Sequence, residues 1–444
     1  MKHLIQTIRN IWRIEDLRIR ILNTLGFILV YRIGSYIVLP GIDGSQLSQL
    51  NNQGGKGIFG LIDIFSGGAF THASIFALGI MPYISASIVM QLLGMAIPAV
   101  QKLQKDESGR RTINQYTRML TVLVTALQAS GYVVYLKSLG AQVLISPGLF
   151  WFSTLVILTS GTIFVMWLGE KITDKGIGNG ISLMIMVGIM ARLPFALIAE
   201  FSSRVSSGGN GGLVAFVGEI AALIFVIVIV IMLVQGTRKI PVQYAKRIVG
   251  NKQYGGVRQY IPLKVNAAGV MPIIFAQALM FIPATVASFF PNSQAGQGAS
   301  VFTDHTSFTY NVVFTILIIV FTYFYTALIV NPVQMADEMK RNSGFIPGVK
   351  PGKKTADFID AIMTRITLPG ACFLALVAML PAFAHLFGII SEFGNFYGGT
   401  SLLIMVGVIL DTLQQIESHL LMRHYDGLMK SGRIKGRQPA AAAY

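Results

Sequence analysis

Residues 65–93 read FSGGAFTHASIFALGIMPYISASIVMQLL and contain no charged side chain. An uncharged apolar run of this length predicts a membrane-spanning helix. Within the run, Pro82 removes a backbone donor and crowds the preceding turn, while Gly79 and the Ser-Ala-Ser sequence at 85–87 keep the surface narrow. We therefore expect another segment to pack closely against this helix.

A stripe of isoleucines follows one face of the same run. Ile80, Ile84 and Ile88 recur every four residues, which places them one above the other on a helix. Such a stripe is typical of packing between neighbouring helices, but on a pore-lining helix it presents branched carbon where an aqueous path closes. Periodicity alone favours the packing interpretation.

The residues before this run favour the second interpretation. Residues 57–64, GIFGLIDI, are apolar but too few to cross a bilayer. Irregular backbone at membrane depth is tolerated only inside protein or beside a water-filled cavity, because lipid offers no hydrogen-bond partners. The sequence therefore predicts a re-entrant segment beside a gated path.

The whole chain has the composition of a helical membrane protein. Of its 444 residues, 53% are hydrophobic and 12% are charged, and the mean hydropathy is +0.63. The apolar residues form ten blocks, which predict ten transmembrane helices in a single all-α integral domain. The blocks are residues 21–40, 73–98, 119–136, 149–168, 177–199, 213–235, 267–290, 311–330, 367–390 and 398–416.

Basic residues are distributed unevenly between the two sides of this bundle. Lysines and arginines concentrate in the termini and in every second loop, whereas the other loops hold only Lys56, Lys137 and Arg204. Because basic residues accumulate in cytoplasmic segments, both termini are predicted to be cytoplasmic. Anionic lipid accounts for part of the net charge of +16. Residues 237–266, with seven basic and no acidic residues, are better suited to RNA phosphate or an acidic protein.

The Gly-rich loop 205–212 has five apolar blocks on each side. This count allows an inverted repeat of residues 1–204 and 213–417 with a path between the halves, followed by a cytoplasmic tail at 418–444. No repeat is visible at the level of single residues. The histidines lack metal-ligand spacing, and PGVKPGKK at 347–354 lacks the first glycine and the hydroxyl of a phosphate loop. We predict no catalytic residue, no metal and no other cofactor.

Three classes of function remain open on these grounds. A gated passive channel accounts for both the short segment and the long apolar helices. A small-solute secondary transporter also fits ten spans with an inverted repeat, but Arg32 and Glu219 are the clear intramembrane charges and are too few for ion coupling. We expect them to form structural pairs or to reach the interface. A scaffold without a path leaves residues 57–64 unexplained.

Motifs along nearly the whole chain resemble those of the SecY family, the large subunit of the bacterial protein-translocation channel. Several such motifs in register are highly specific, whereas one alone is not. In family order they are PGID (40–43), FSGGA (65–69), ASIFALGIMPYISASI (73–88), ESGRRTINQYTR (107–118), MWLGEKITDKGIGNGIS (166–182), PLKVNAAGVMP (262–272), FYTALIVNP (324–332), KPGKKTADFID (350–360) and YGGTSLLI (397–404).

The resemblance implies two pseudo-symmetric five-helix halves around a central pore, with a re-entrant plug at about 57–70. The implied pore ring consists of Ile80, Ile84, Ile185, Ile274, Ala278 and Ile404. The implied plug residues are Ile58, Phe59, Leu61, Ile62, Asp63, Ile64, Phe65, Ser66, Gly67 and Gly68. A lateral gate is expected between the second and third spans on one side and the seventh and eighth on the other. Gln91 and Gln128 are its polar candidates, because isolated amides in apolar spans need partners.

The function implied by the resemblance is passage of unfolded secretory proteins across the bacterial plasma membrane and lateral release of transmembrane segments into lipid. The implied partners are the SecE and SecG subunits, the SecA motor, the ribosome, signal peptides and precursor proteins. Loops 237–266 and 331–366 are the predicted docking surface, with ribosomal RNA as one contact. Its candidate residues are Arg238, Lys239, Lys246, Arg247, Arg258 and Lys350. The family usually carries arginine where this chain has Lys350, and lysine lacks the planar fork of arginine.

Overall fold

A computed structural model of the protein describes residues 12, 14–42, 63–97, 100, 103, 106–138, 143–206, 212–244, 247–249, 252–254, 258–289 and 307–430. Long helices dominate this part of the chain. The helices are α1 Glu15–Gly34, α2 Met81–Ala96, α3 Glu107–Ser138, α4 Pro147–Lys175, α5 Gly180–Ser206, α6 Gly212–Gln235, α7 Met271–Phe289, α8 Phe308–Ile329, α9 Pro332–Arg341, α10 Lys353–Leu386, α11 Ser391–Gly394 and α12 Gly399–Lys430. The strands are β1 Thr237–Tyr244, β2 Arg247–Val249, β3 Lys252–Tyr254, β4 Arg258–Lys264 and β5 Gly344–Phe345.

Each of the ten predicted spans falls on one helix, namely α1 to α8, α10 and α12. Among the described residues, seven helices are long and apolar enough to cross a membrane, and α2 and α7 contain shorter apolar stretches. α1 is less apolar because it begins with Glu15 and Asp16 and carries three arginines. The predicted helical membrane fold is confirmed, and the protein is a multi-pass membrane protein.

The helix in the run 65–93 is shorter than the sequence predicts. α2 begins at Met81, and residues 67–80 form buried turns where the sequence predicted the start of the span 73–98. A φ of +53° at Gly79 prevents these turns from continuing into a right-handed helix. Pro82 consequently lies in the first turn of α2, where no backbone donor is required. The prediction that Pro82 interrupts a helix is wrong, because it starts one.

The seventh span begins in the same way as the second. Residues 269–272, Gly-Val-Met-Pro, repeat the Gly-Ile-Met-Pro sequence of residues 79–82. Gly269 has a φ of +63°, and α7 begins at Met271, one residue before the proline. The second helix of each predicted half therefore starts from the same local sequence and backbone turn. This short repeat is the residue-level relation between the halves that the sequence analysis missed.

Loops 237–266 and 331–366 are joined by a small sheet that the all-α prediction omitted. β1 pairs antiparallel with β4 along its length, and β5 pairs with the end of β1. Ile240 and Val242 alternate with exposed residues in β1, which is the pattern of a strand with one buried face. They lie in an apolar cluster with β4, α9 and the start of α10. Both predicted docking loops consequently form one structural unit.

A buried ion cluster joins α5 to α6. Arg204 contacts Glu200 at 2.9 Å and Glu219 at 2.6 Å, so Glu219 forms the structural pair expected of it. The second Glu200 carboxylate oxygen accepts from the Ile390 amide at 2.9 Å, and the Tyr397 hydroxyl donates to the Glu219 carbonyl at 2.7 Å. Burial, followed by the Glu219 charge, raises the pKa of Tyr397, which keeps its hydroxyl protonated. Arg204, predicted to lie in a loop, is buried at the end of α5.

Candidate functional site

The structure brings most of the predicted pore ring into one apolar cluster. Ile80, Ile185 and Ile404 are buried members of it, and Ile84 and Ile274 pack against it. They come from the start of α2, from α5, from α7 and from α12. Residues widely separated in sequence thus meet in one largely aliphatic and aromatic cluster.

Ala278 lies apart from the other ring candidates. It packs against a neighbouring cluster that contains Ile88, Phe275 and Tyr325, and Ile84 and Ile274 contact both clusters. Val270, which precedes α7, packs against the cluster of the other five residues. Val270 corresponds to Ile80 in the repeated Gly-x-Met-Pro sequence. That repeat is the signal that could have identified Val270 from the sequence.

Four of the predicted plug residues, Ile58, Phe59, Leu61 and Ile62, lie outside the described residues. The described part of the plug, Asp63 to Gly68, is buried throughout. Ile64 and Phe65 belong to the same apolar cluster as Ile80 and Ile185, so the plug and the predicted ring share one region of the core. A Cβ placed on Gly188 of α5 would lie 2.6 Å from the Phe65 carbonyl oxygen, which shows how closely the two backbones approach.

The carboxylate of Asp63 is the centre of a polar cluster next to this apolar packing. One carboxylate oxygen accepts from the amide of Thr71 at 2.9 Å and from its hydroxyl at 2.8 Å. The other oxygen forms an ion pair with Arg192 of α5. Arg192 also donates to the Thr71 hydroxyl at 2.8 Å. The sequence analysis named Asp63 for its place in the plug but gave no role to Thr71 or Arg192.

A second arginine binds the same segment from α1. Arg32 donates to the Gly67 carbonyl at 3.0 Å and to the Tyr36 hydroxyl at 3.1 Å. The Tyr31 hydroxyl donates to the Ser66 carbonyl at 3.3 Å. Arg32 was expected to form a structural pair or to reach the interface. Its partners are instead a backbone carbonyl of the plug and a tyrosine.

The two predicted gate glutamines have different environments. The Gln91 side-chain oxygen accepts from the Tyr325 hydroxyl at 3.0 Å, which links α2 to α8 across the expected gate. Phe275 of α7 contacts the Tyr325 ring, with centroids 5.4 Å apart. Gln128 of α3 is half-buried and has no hydrogen-bond partner within the described ranges. Tyr325 of the eighth span, the partner of Gln91, was not among the residues that the sequence analysis named.

The docking candidates are described only in part. Arg238 and Lys239 are exposed on β1, and Lys350 is exposed in the turn between β5 and α10. Lys246 lies outside the described residues. Arg247 and Arg258 belong to β2 and β4, but their side chains are not described. In the described part of the chain, no group of three histidine, cysteine or carboxylate residues is placed to hold a metal ion.

The structure is a helical membrane bundle in which Ile64 and Phe65 of a buried segment share one apolar cluster with residues of several helices, and a hydrogen bond links α2 to α8. This arrangement is the one expected of a gated membrane channel. The SecY family model matches residues 74–413. The chain is 43% identical over 435 residues to the protein translocase subunit SecY of Streptomyces galbus, covering 94% of this chain and 98% of that protein.

Solved structures show the same fold. One is a SecY protein whose plug domain is described as stabilising the closed state of the translocation channel, with a TM-score of 0.63 and 18% identity over 90% of this chain and 92% of the other. Another is Sec61 in the canine ribosome-channel complex, with a TM-score of 0.60 and 17% sequence identity; the match covers 90% of this chain and 92% of the other. The chain belongs to the SecY family. It is a channel-forming translocase subunit and not an enzyme.

Proposed function

We propose that this chain forms the pore through which unfolded secretory proteins cross the bacterial plasma membrane, and that it releases transmembrane segments sideways into lipid. The observation that carries the proposal is the single apolar cluster in which Ile64 and Phe65 of the plug meet the ring isoleucines. The seal consists of Ile80, Ile84, Ile185, Ile274 and Ile404, with Val270 rather than Ala278 as the sixth side chain.

An aliphatic constriction combines two properties that such a pore needs. Branched apolar side chains cannot replace the hydration shell of an ion, so a narrow ring excludes water and ions by dewetting. The same side chains make no hydrogen bonds and therefore hold no preferred sequence. A moving polypeptide can displace them without breaking specific contacts.

The lateral exit lies between α2 with α3 and α7 with α8. Its support is the contact from Gln91 to Tyr325, which joins the two sides at 3.0 Å. Interhelical hydrogen bonds of this kind in membranes contribute about 1 kcal/mol, so the gate is closed by a small and reversible term. A sufficiently hydrophobic signal peptide replaces the apolar contacts of the closed gate with its own.

The energy source acts from the cytoplasmic side. Both termini and the basic loops 237–266 and 331–366 face the cytoplasm, because lysine and arginine concentrate there. The partners are the small subunits SecE and SecG, the SecA motor and the ribosome, whose RNA can contact the basic loops. The canine ribosome-channel complex supports the last of these.

Reconstitution tests this function. The purified chain, its small subunits and a purified motor are incorporated into lipid vesicles and given a secretory precursor. We expect the precursor to become protected from external protease only when this chain, the motor and ATP are all present. Vesicles that contain the small subunits alone are the control. Uptake of small solutes without any protected precursor would contradict the proposal and favour a transporter.

A further inference from the structure

The contact between the plug and the bundle has a polar part that packing does not require. Ile64 and Phe65 already bury the plug against apolar neighbours. Asp63, whose carboxylate also faces the bundle, is only 3% exposed. It is bound by Arg192 of α5 and by both the amide and the hydroxyl of Thr71. A charge pair in such a place is costly, so an apolar residue would fill the same space more cheaply.

This polar cluster connects a helix that is packed within the bundle to the re-entrant segment and the turns that follow it. Arg192 lies on α5, a long helix that packs against α4, α6 and α12. Asp63 lies on the re-entrant segment, and Thr71 lies in the turns that join this segment to α2. The guanidinium of Arg192 reaches both, by the ion pair and by a 2.8 Å bond to the Thr71 hydroxyl.

The ion pair of Asp63 and Arg192 can separate without leaving either charge buried and unpaired. When the re-entrant segment leaves its seat, the Asp63 carboxylate moves towards water and is hydrated. The Arg192 side chain is 25% exposed where it stands, so it is not enclosed by the protein on all sides. The ion pair therefore favours the seated position while it is intact and does not oppose the open state once it is separated.

We propose that Asp63 and Arg192 form a latch that sets how readily the plug leaves the pore, and that Thr71 orients the Asp63 carboxylate for it. This inference rests on the proposed function of a plug-gated channel. Asp63 and Arg192 are positioning residues, because they act on the plug and not on the translocated chain. Weakening the latch shifts the closed channel towards opening, which is a gain of activity.

The test uses the full-length chain with Asp63→Asn, Arg192→Gln and both substitutions together. The amide introduced by Asp63→Asn is isosteric with the carboxylate and can still accept from Thr71, but it carries no charge. Two properties are measured in reconstituted vesicles and planar bilayers: resting ion conductance, and transport of a precursor with a weakened signal segment. We expect each single variant to raise both about tenfold, which corresponds to about 1.4 kcal/mol. The double variant should resemble the single ones, because all three remove the same contact.

Two controls separate a latch from a general loss of structure. Glu170→Gln breaks the exposed pair with Arg118 between α3 and α4 and should leave both properties unchanged. Arg192→Lys keeps the positive charge, so its resting conductance and its transport of the weakened precursor should stay close to those of the unmodified channel. Additive effects of the two single substitutions, or unchanged resting conductance in both, would overturn the latch.

The latch and the proposed function fail in different ways. If the unmodified channel does not transport a normal precursor, the proposed function is wrong. If it does, and the Asp63 and Arg192 variants transport the weakened precursor no better than it does, the latch alone is wrong. Reduced transport of normal precursors by these variants would indicate a structural role and would also count against the latch.

Discussion

At Gly188 of α5 the backbone of the plug lies close to the backbone of the bundle. A Cβ at this position would lie 2.6 Å from the Phe65 carbonyl oxygen and 3.2 Å from the Gly67 amide nitrogen. Neither atom belongs to a side chain that can rotate away. We expect Gly188→Ala to displace the plug and to raise resting ion conductance in planar bilayers.

Gly218→Ala in α6 is the matched control for this substitution. No atom lies within 4 Å of its added Cβ, so the change should affect only the helix itself. Alanine is about 1 kcal/mol more favourable than glycine inside a helix, and the control should not raise conductance. If the two alanine variants conduct equally, the close approach at Gly188 does not hold the plug.

The residues that could be found from the sequence are those with a regular spacing. Ile80 and Ile84 follow a helical period, and in the structure Ile80 is a buried member of one apolar cluster and Ile84 packs against it. Arg192 and Thr71 carry no such signal, because their role depends on a contact with Asp63 across 129 and 8 positions of the chain. A buried charge pair between distant segments is specified by tertiary structure, so local sequence pattern could not identify it.

At the scale of whole elements, the start of α2 positions two residues of the proposed pore ring, Ile80 and Ile84. Ile80 is the residue before the first turn of α2, and Ile84 lies one turn later. Replacing Ile80, Ile84 and Ile185 with serine should raise resting ion conductance, because hydroxyls let water into the constriction. Ile198→Ser, on the exposed face of α5, is the control and should leave conductance at the level of the unmodified channel. A triple variant that folds and still excludes ions would show that the seal lies elsewhere.

The hydrogen bond between Gln91 of α2 and Tyr325 of α8 joins two helices at the proposed lateral gate. Gln91→Leu and Tyr325→Phe each remove one partner of the same hydrogen bond, at a cost of about 1 kcal/mol. We expect both variants to lower the hydrophobicity that a signal segment needs to open the channel. Transport of precursors with graded signal hydrophobicity measures this threshold.

Gln128→Leu is the comparison for the gate variants. Since Gln128 has no hydrogen-bond partner in the ranges that the structure describes, its replacement should shift the threshold less than Gln91→Leu does. An equal shift for Gln91→Leu and Gln128→Leu would mean that the contact with Tyr325 does not hold the gate. The predicted pairing of the two glutamines as equivalent gate residues would then be the better description.

Secondary structure could be predicted where the sequence has a long continuous apolar block, and it was missed where the buried apolar residues are few. Each of the ten apolar blocks contains a helix, because a helix satisfies its own backbone hydrogen bonds in lipid. The strand at 237–244 has only two buried alternating residues, Ile240 and Val242, which follow the basic residues Arg238 and Lys239. Its partner β5 lies about 100 residues later, and no local pattern indicates that pairing.

At the scale of the whole molecule, the ion cluster of Glu200, Arg204 and Glu219 holds the two predicted halves together. Arg204→Met leaves the buried carboxylate of Glu200 and the partly buried one of Glu219 without their cation, and should cost about 3–5 kcal/mol of stability. Glu219→Gln should cost less, because the contact of Arg204 with Glu200 remains. The thermal midpoint of the detergent-solubilised chain measures both.

Arg118→Met is the control for the ion cluster. Its exposed pair with Glu170 joins α3 to α4 within one half, and exposed pairs contribute about 0–1 kcal/mol. We therefore expect little change in the thermal midpoint. An Arg204→Met protein that unfolds at the same temperature as Arg118→Met would show that the cluster does not stabilise the contact between halves.

The sheet of β1, β4 and β5 makes one surface of the two loops that are predicted to face the energy source. Exposed Arg238 and Lys239 lie on β1, and exposed Lys350 follows β5.

We expect Lys350→Glu to impair motor-driven translocation while membrane insertion and subunit assembly stay intact, because a reversed charge repels an acidic motor surface. Binding of ribosomal RNA to the same surface should weaken steeply as salt increases, since each neutralised phosphate releases counterions. Lys137→Glu makes the same charge change at an exposed residue that is predicted to lie on the opposite side of the membrane, and it should leave transport unaffected. Normal motor binding and transport by the Lys350→Glu channel would exclude this residue from the docking surface.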